Sequence, residues 1–323
     1  MHEPLYRQAL RHSWALAWKH KLLWIFGLFA AFLGQMGLMD LLSKVGSATT
    51  NFGFFPYWLT LPKVAREASE ISSFSLSVDA WFWFIWLLVV LLGLGLLLIF
   101  VSVVSQGALI KAAANSTKHK NLPDVGVAWQ AGTRHFWRLF FINLFKKIIF
   151  VLLALLIGWA TVSVILEASV LEVGIFLFLF ILVMLVGMLV SFLAVYAAAY
   201  IVVEEYSFGK AISAAWQLFT NHWLVSFEVG LIVLVLNLVL AAVTVFGFLV
   251  FFFPTLLMWF IAALIGNASL WLIGVIVGLI LFLLFILLLG SVFTVFVTSV
   301  WTYLFMKMHQ AGIKSRILHL LGQ

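Results

Sequence analysis

Apolar runs longer than the roughly 20 residues needed to cross a bilayer recur along this chain, and they decide which solvent it folds in. The run from Ala80 reaches Ala113 with Lys111 as its one charge. Of the 323 residues, 66% are hydrophobic and only 9% are charged, where soluble domains carry roughly 25% charged residues. So few charges cannot coat a water-facing surface, so the expected solvent for most of the chain is lipid. The fold class that follows is an all-α membrane protein, a six-transmembrane helical bundle forming one integral membrane domain over residues 1–323.

Hydropathy places the spans near Leu22–Leu42, Ala80–Ala113, Ile148–Leu166, Gly174–Val203, Leu224–Val250 and Leu270–Met308. The segment Phe251–Leu270 carries Pro254 and Gly266-Asn267 yet is mostly apolar. It reads as an interfacial or re-entrant hairpin, or as an additional span. The N-terminal apolar run meets Gly34-Gln35-Met36-Gly37 instead of a small-x-small cleavage site, so it reads as a retained first span.

Charge orients the bundle. With six spans and a cytoplasmic N-terminus, all of the 18 Lys and Arg residues except Lys44, Lys63 and Arg66 fall on the cytoplasmic side. An extra crossing would also move Lys307, Lys314 and Arg316 outside. The positive-inside bias therefore favours six spans with both termini in the cytoplasm. The short outer turn with Glu167 and Glu172 agrees. The net charge of +7 fits attraction to anionic lipid headgroups at the cytoplasmic face. No nucleic-acid motif accompanies it.

A local pattern occurs three times: ALRHSWALAWKHKLLW from Ala9, DVGVAWQAGTRHFWRL from Asp124 and AISAAWQLFTNHWLVS from Ala211. In register, Trp14, Trp129 and Trp216 coincide, as do His20, His135 and His222 six positions later. Gln130 matches Gln217, and Ser13, Ala128 and Ala215 are all small. Helix-start signals precede each copy: Pro4 after Glu3, Pro123-Asp124 after Asn121, and Ser207. Each copy leads into an outbound and a return span. The expected unit is an interfacial amphipathic helix plus a transmembrane hairpin, over approximately 4–113, 121–205 and 207–309. Two-span units keep their orientation, so the copies should be parallel about an axis along the membrane normal.

Tryptophan rings favour the headgroup boundary and Arg or Lys heads reach its phosphates. Arg7, Arg11, Lys19 and Lys21 supply charge in the first copy. Arg134, Arg138, Lys146 and Lys147 do so in the second, where Lys146 and Lys147 suggest a helix that lies flat before turning into the bilayer. The third has only Lys210.

SWALAWKHKLLWIFGLFAAFLG (Ser13–Gly34) resembles the opening of uncharacterised bacterial multi-span membrane proteins. YIVVEEYSFGKAISAAWQLFTNHW (Tyr200–Trp223) resembles the membrane domain attached to some glycerophosphodiester phosphodiesterases, in which an acidic turn ends one span and a Trp-bearing helix opens the next. The resemblance implies a multi-span helical domain of the bacterial cytoplasmic (inner) membrane. It does not carry over phosphodiesterase chemistry, which belongs to a separate soluble domain for which the 323 residues leave no room.

With no cysteine in the chain, disulfides, thiolate nucleophiles and thiolate-bound metals are excluded. There is no phosphate-binding glycine loop, zincin helix or nucleophile elbow. No cofactor and no catalytic residue is expected, and an enzyme is the less favoured class. If the copies circle an axis, His20, His135 and His222 converge as a three-imidazole zinc constellation. The simpler reading leaves each histidine at the interface, since no carboxylate recurs beside them and residues six apart on a helix point about 240° away from each other.

Glu228 lies a few residues inside the fifth span, where a charge is a functional signal by default. Its repeat equivalents are Phe26 and Phe141, and Lys146 and Lys147 are candidate partners. With Asn143 and Asn237 it defines a candidate intramembrane polar seam. A shallow glutamate that snorkels is the plainer alternative. Glu204 and Glu205 could pair with basic residues of neighbouring loops, with a solvated turn the favoured reading. Gly93, Gly95, Gly174 and Gly187 invite close helix packing. Phe52–Trp58 and Phe251–Trp259 look like outer aromatic belts.

Three functions compete. A non-enzymatic scaffold or regulator of membrane partners predicts no continuous polar path. A transporter or lipid translocase predicts a polar seam around Asn237, Glu228 and Ser191. A membrane-embedded histidine-metal enzyme predicts bound metal. The first is favoured.

Overall fold

A computed structural model of the protein describes residues 5–32, 78–119, 125–166, 169–266 and 268–311. These form α1 (Leu5–Lys19), α2 (Leu23–Ala31), α3 (Val78–His119), α4 (Val125–Arg134), α5 (Phe136–Leu166), α6 (Val170–Val203), α7 (Phe208–Asn221), α8 (Trp223–Ile265) and α9 (Ala268–Ala311). Among the described residues there is no strand. Helix is what lipid dictates, because a helix satisfies its own amides and carbonyls where no water can.

Five helices, α3, α5, α6, α8 and α9, are long and apolar enough to cross a membrane. Between 6% and 17% of their most apolar stretches is buried inside the protein. Side chains so apolar and so uncovered are compatible only with a lipid solvent, and the chain is a multi-pass helical membrane protein. The outer part of the expected first span, residues 33–42, lies outside the described residues. So do Lys44, Lys63 and Arg66, the Phe52–Trp58 belt, Glu167, and the start signals at Pro4 and Pro123.

Three boundaries differ from the hydropathy reading. α5 begins at Phe136, well before Ile148, and passes straight through Lys146 and Lys147. Long lysine stems let a helix continue past their charges, and the Lys146 ammonium sits 5.8 Å over the Phe150 ring. α6 starts at Val170 instead of Gly174. The segment 251–270 is neither a re-entrant hairpin nor a separate span. α8 runs unbroken for 43 residues with Pro254 inside it, about 65 Å at 1.5 Å per residue. Unwinding at the proline would expose more carbonyls to lipid than the one it leaves unpaired. The turn comes at Gly266, whose φ of 71° is the left-handed cap that ends a helix at low cost. α9 then returns for 44 residues.

Small residues hold the α8–α9 hairpin together. A Cβ on Gly247 would strike the Phe285 ring, one on Gly274 would lie 2.9 Å from Met258 Cβ, and one on Gly278 would strike the Thr255 hydroxyl. That hydroxyl donates to the Gly274 carbonyl at 3.1 Å. Phe251 packs on Phe285 and Phe252 on Phe282. Those two aromatics therefore serve the hairpin instead of an outer belt, whereas Phe253 and Trp259 face outward.

The chain separates into two compact units. The first takes in α1, α2, α4, α7, α8 and α9, with α3 from Ser102, α5 up to Asn143 and α6 from Ser191. Its centre is made of return-helix ends: residues 102–110 of α3, 196–202 of α6 and 294–306 of α9 are buried without interruption. A helix buried on all sides is surrounded by other helices. The second unit holds the remaining parts of α3, α5 and α6. There, Gly187 lies in ordinary contact distance of Phe150 and Leu153.

The glycines that permit close approach are not those expected. Among the described residues nothing lies within 4 Å of a Cβ built on Gly93, Gly95 or Gly174. The tight crossings are at Gly27, whose Cβ would meet the Ser291 carbonyl, and at Gly107 against Gly132. A glycine in an apolar run marks a crossing only if another backbone arrives there, which local sequence does not state.

Candidate functional site

The repeated pattern resolves into one local geometry. Each histidine stands where an amphipathic helix stops and the next helix begins: His20 after α1, His135 between α4 and α5, and His222 between α7 and α8. Its carbonyl accepts an amide from the first turn of the following helix, from Leu23 at 3.0 Å, Leu139 at 3.1 Å and Ser226 at 3.0 Å respectively. In the second and third copies the ring bonds back as well. Nδ1 of His135 donates to the Ala131 carbonyl at 2.8 Å, and Nδ1 of His222 donates to the Leu218 carbonyl at 3.3 Å. Each of these carbonyls also accepts the histidine's own backbone amide, at 3.3 Å for His135 and 3.0 Å for His222, so the ring adds a second donor near the helix end. Burial, and then the adjacent Lys19, hold the His20 imidazole below its ordinary range.

Among the described residues no three His, Asp or Glu side chains come together to hold a metal ion. His20, His135 and His222 are all described, so they do not form the zinc constellation.

The small residue before each tryptophan is buried in every copy: Ser13 and Ala215 are fully covered and Ala128 is 1% exposed. The tryptophans themselves differ. Trp14 and Trp216 are exposed, whereas Trp129 is half-buried and stacks on Phe26 at 6.0 Å. Ser13, Ala128 and Ala215 are thus covered on α1, α4 and α7 alike. The next residue points about 100° away, and Trp14 meets Phe296 edge-on at 5.7 Å.

The residues of the expected polar seam have separate surroundings. Asn143 donates from Nδ2 to Gln106 Oε1 at 2.6 Å and to the Leu139 carbonyl at 2.9 Å. Gln106 is 2% exposed, so this amide pair ties α3 to α5 inside the first unit. Asn237 donates to the Val233 carbonyl of its own helix at 2.9 Å. Glu228 is half-buried near the start of α8.

Glu204 and Glu205 are not simply solvated. Glu205 adopts a left-handed φ of 55° where α6 ends. It pairs with Arg134 at 3.5 Å, while Arg138 donates to the carbonyls of Glu205 and Tyr206 at 3.1 and 3.3 Å. Glu204 lies 3.9 Å from His309 Nε2. His309 also sits 3.5 Å from the Tyr200 hydroxyl through Nδ1 and stacks on Phe305.

Several polar residues escaped the sequence reading. His12 bonds Ser116 through Nε2 at 3.4 Å, packs on Tyr303 at 5.3 Å and is held below its ordinary pKa by burial. Tyr196 and Ser226 share a buried 2.7 Å hydrogen bond. The Ser291 hydroxyl bonds the Trp24 carbonyl. Among the described residues, the hydroxyls of Ser13, Ser102 and Ser105 are buried without a hydrogen-bond partner. One signal was available for the α3 and α9 set: hydroxyls recur every three or four residues at Ser102 and Ser105 and at Ser291, Thr294, Thr298 and Thr302, the spacing of one helix face.

No protein-family model matches this chain, no curated protein matches it, and no solved structure matches it.

Proposed function

We propose that this chain is a six-span protein of the bacterial cytoplasmic membrane with both termini inside, and a non-enzymatic scaffold or regulator of membrane partners. In this reading three copies of an amphipathic helix plus a hairpin surround a filled centre, and the amphipathic helices rest on lipid headgroups at the cytoplasmic face. One observation carries it: in all three copies the small residue is buried and the histidine marks the joint between amphipathic helix and membrane helix. A centre filled by large side chains such as Tyr196, Phe305, Leu139 and Leu304 supports a structural role.

Topology is the first test. Single cysteines at Ser169 and Ser315, in a chain without native cysteine, report sidedness to an impermeant maleimide. Ser169 should label on intact cells and Ser315 only after permeabilisation. Labelling of Ser315 from outside would end the six-span reading.

The second reading, a transporter or lipid translocase, draws on the unpartnered hydroxyls of Ser13, Ser102 and Ser105 and on the Gln106–Asn143 pair. Flux through proteoliposomes above that of empty vesicles, lost in Gln106→Leu, would favour it over the scaffold.

A further inference from the structure

The three amphipathic helices do not offer equal charge to their surroundings. In the second and third copies Arg134, Arg138 and Lys210 already have partners inside the protein, while Lys147, on α5, is exposed without one among the described residues. Arg134 pairs with Glu205. Arg138 caps the end of α6 through two carbonyls, and the Lys210 ammonium lies 5.8 Å over the Tyr206 ring.

α1 is different. Ala9, Ser13, Leu16 and Ala17 bury one face of it. Arg7, Arg11, Trp14 and Trp18, spaced at i, i+4, i+7 and i+11, form the opposite face and are exposed, as are Lys19 and Lys21 at its end. Trp14 and Trp18 are 55% and 48% exposed, and their rings lie tilted to each other with centroids 5.7 Å apart. Among the described residues none of the four cations has an ion pair, a side-chain hydrogen bond or a ring contact. The one electrostatic effect recorded for them is that Lys19 acts on its neighbour His20. Unpaired cations interleaved with exposed tryptophans complement a surface that is anionic on top and apolar beneath.

We infer that the outward face of α1 is the protein's binding surface for anionic lipid headgroups, and that α4 and α7, its counterparts in the repeat, do not share that role. This rests on the reading that the amphipathic helices lie on the bilayer. It goes further in assigning the lipid contact to one copy. Arg134 and Arg138 are positioning residues for the α6 end, so their loss should act on the fold and not on lipid choice.

The full-length protein in nanodiscs of phosphatidylcholine, with or without phosphatidylglycerol, tests the assignment. The readouts are the ratio of the two lipids retained after detergent extraction and the thermal midpoint in each disc. Wild type should retain phosphatidylglycerol preferentially. Each of Arg7→Gln, Arg11→Gln, Lys19→Gln and Lys21→Gln should cut that preference about fivefold, and the quadruple variant should abolish it with an unchanged midpoint in phosphatidylcholine alone. Arg134→Gln/Arg138→Gln should lower the midpoint in both discs and keep the preference. If that pair fails to fold, Lys210→Gln should keep it too.

A preference that survives the quadruple variant, or one that disappears with Lys210→Gln or Arg134→Gln/Arg138→Gln, overturns the assignment to α1 and leaves headgroup binding intact. A wild type with no preference overturns both.

Discussion

Replacing Gly107 by alanine adds one methyl group to a helix crossing made of backbone. The new Cβ would lie 2.8 Å from Gly132 Cα and 2.9 Å from Leu139 Cδ1, where ordinary contact begins near 3.4 Å. Leu139 is fully buried and cannot swing aside. Gly132 has no side chain to move, and its own Cβ direction points at the Val104 carbonyl. The α3–α4 crossing must therefore open by roughly half an ångström. A gap of that size forfeits about a quarter of the dispersion energy of the atoms facing it. Overpacking of this kind costs about 1–3 kcal/mol. Alanine recovers up to about 1 kcal/mol of helix propensity, so the net expectation runs from about zero to a loss of about 2 kcal/mol, and about 1–3 kcal/mol below the controls that follow.

Gly93→Ala and Gly174→Ala are the controls. Neither has a described atom within 4 Å of the new methyl, so only propensity remains and stability should hold or rise slightly. Unfolding of each variant in mixed micelles by increasing sodium dodecyl sulfate measures the differences. If Gly107→Ala matched Gly93→Ala, the close crossing of α3 and α4, and with it the seating of the second amphipathic helix, would be refuted.

Three further outcomes are expected. His135→Ala should lose about 1 kcal/mol with the cap on Ala131, while His135→Asn, which keeps a donor, should lose less; chelators should change neither, and a chelator-sensitive midpoint would revive a metal role. Gln106→Leu should destabilise by about 1 kcal/mol by removing one acceptor of the Asn143 amide, and the same change should cost less in an Asn143→Leu background; additive losses would mean the pair is not coupled. His12 is held neutral by burial, so its folded pKa lies below the unfolded value of about 6.5. The stability tied to its neutral form should be complete above that pH and be lost as pH falls from there through the folded value. His12→Gln should flatten that slope, and an unchanged slope would place the effect elsewhere.

Much of the organisation was legible in one dimension. Composition alone required a lipid solvent and helices, and five of the long apolar segments are the five candidate spans. The thrice-occurring pattern was legible as a local sequence match, and at each occurrence the small residue is buried and the histidine stands between two helices. Three features were not legible. The segment after Val250 was misread because proline and an apolar composition fit both a hairpin and a continuous helix; only the packing of Gly247, Gly274 and Gly278 against the partner arm distinguishes them. The metal idea came from the repeat spacing, which fixes the histidines along the chain but not across the bundle. The cluster of Tyr200, Glu204 and His309 carries no local pattern, since its members are brought together from α6 and α9.

The sequence by itself determined the solvent, the secondary structure and the periodicity, because each depends on the transfer free energies and backbone satisfaction of residues near in the chain. Tertiary structure decided which glycines touch another helix and which amide answers Gln106. It also decided which cations are already spoken for. Arg134 on α4 and Arg7 on α1 look alike in sequence. One faces Glu205, from a helix end 71 residues away, and the other faces outward. Whether a charge is free depends on what the fold carries to within a few ångströms of it, and Coulomb and hydrogen-bond energies fall off over that same short distance.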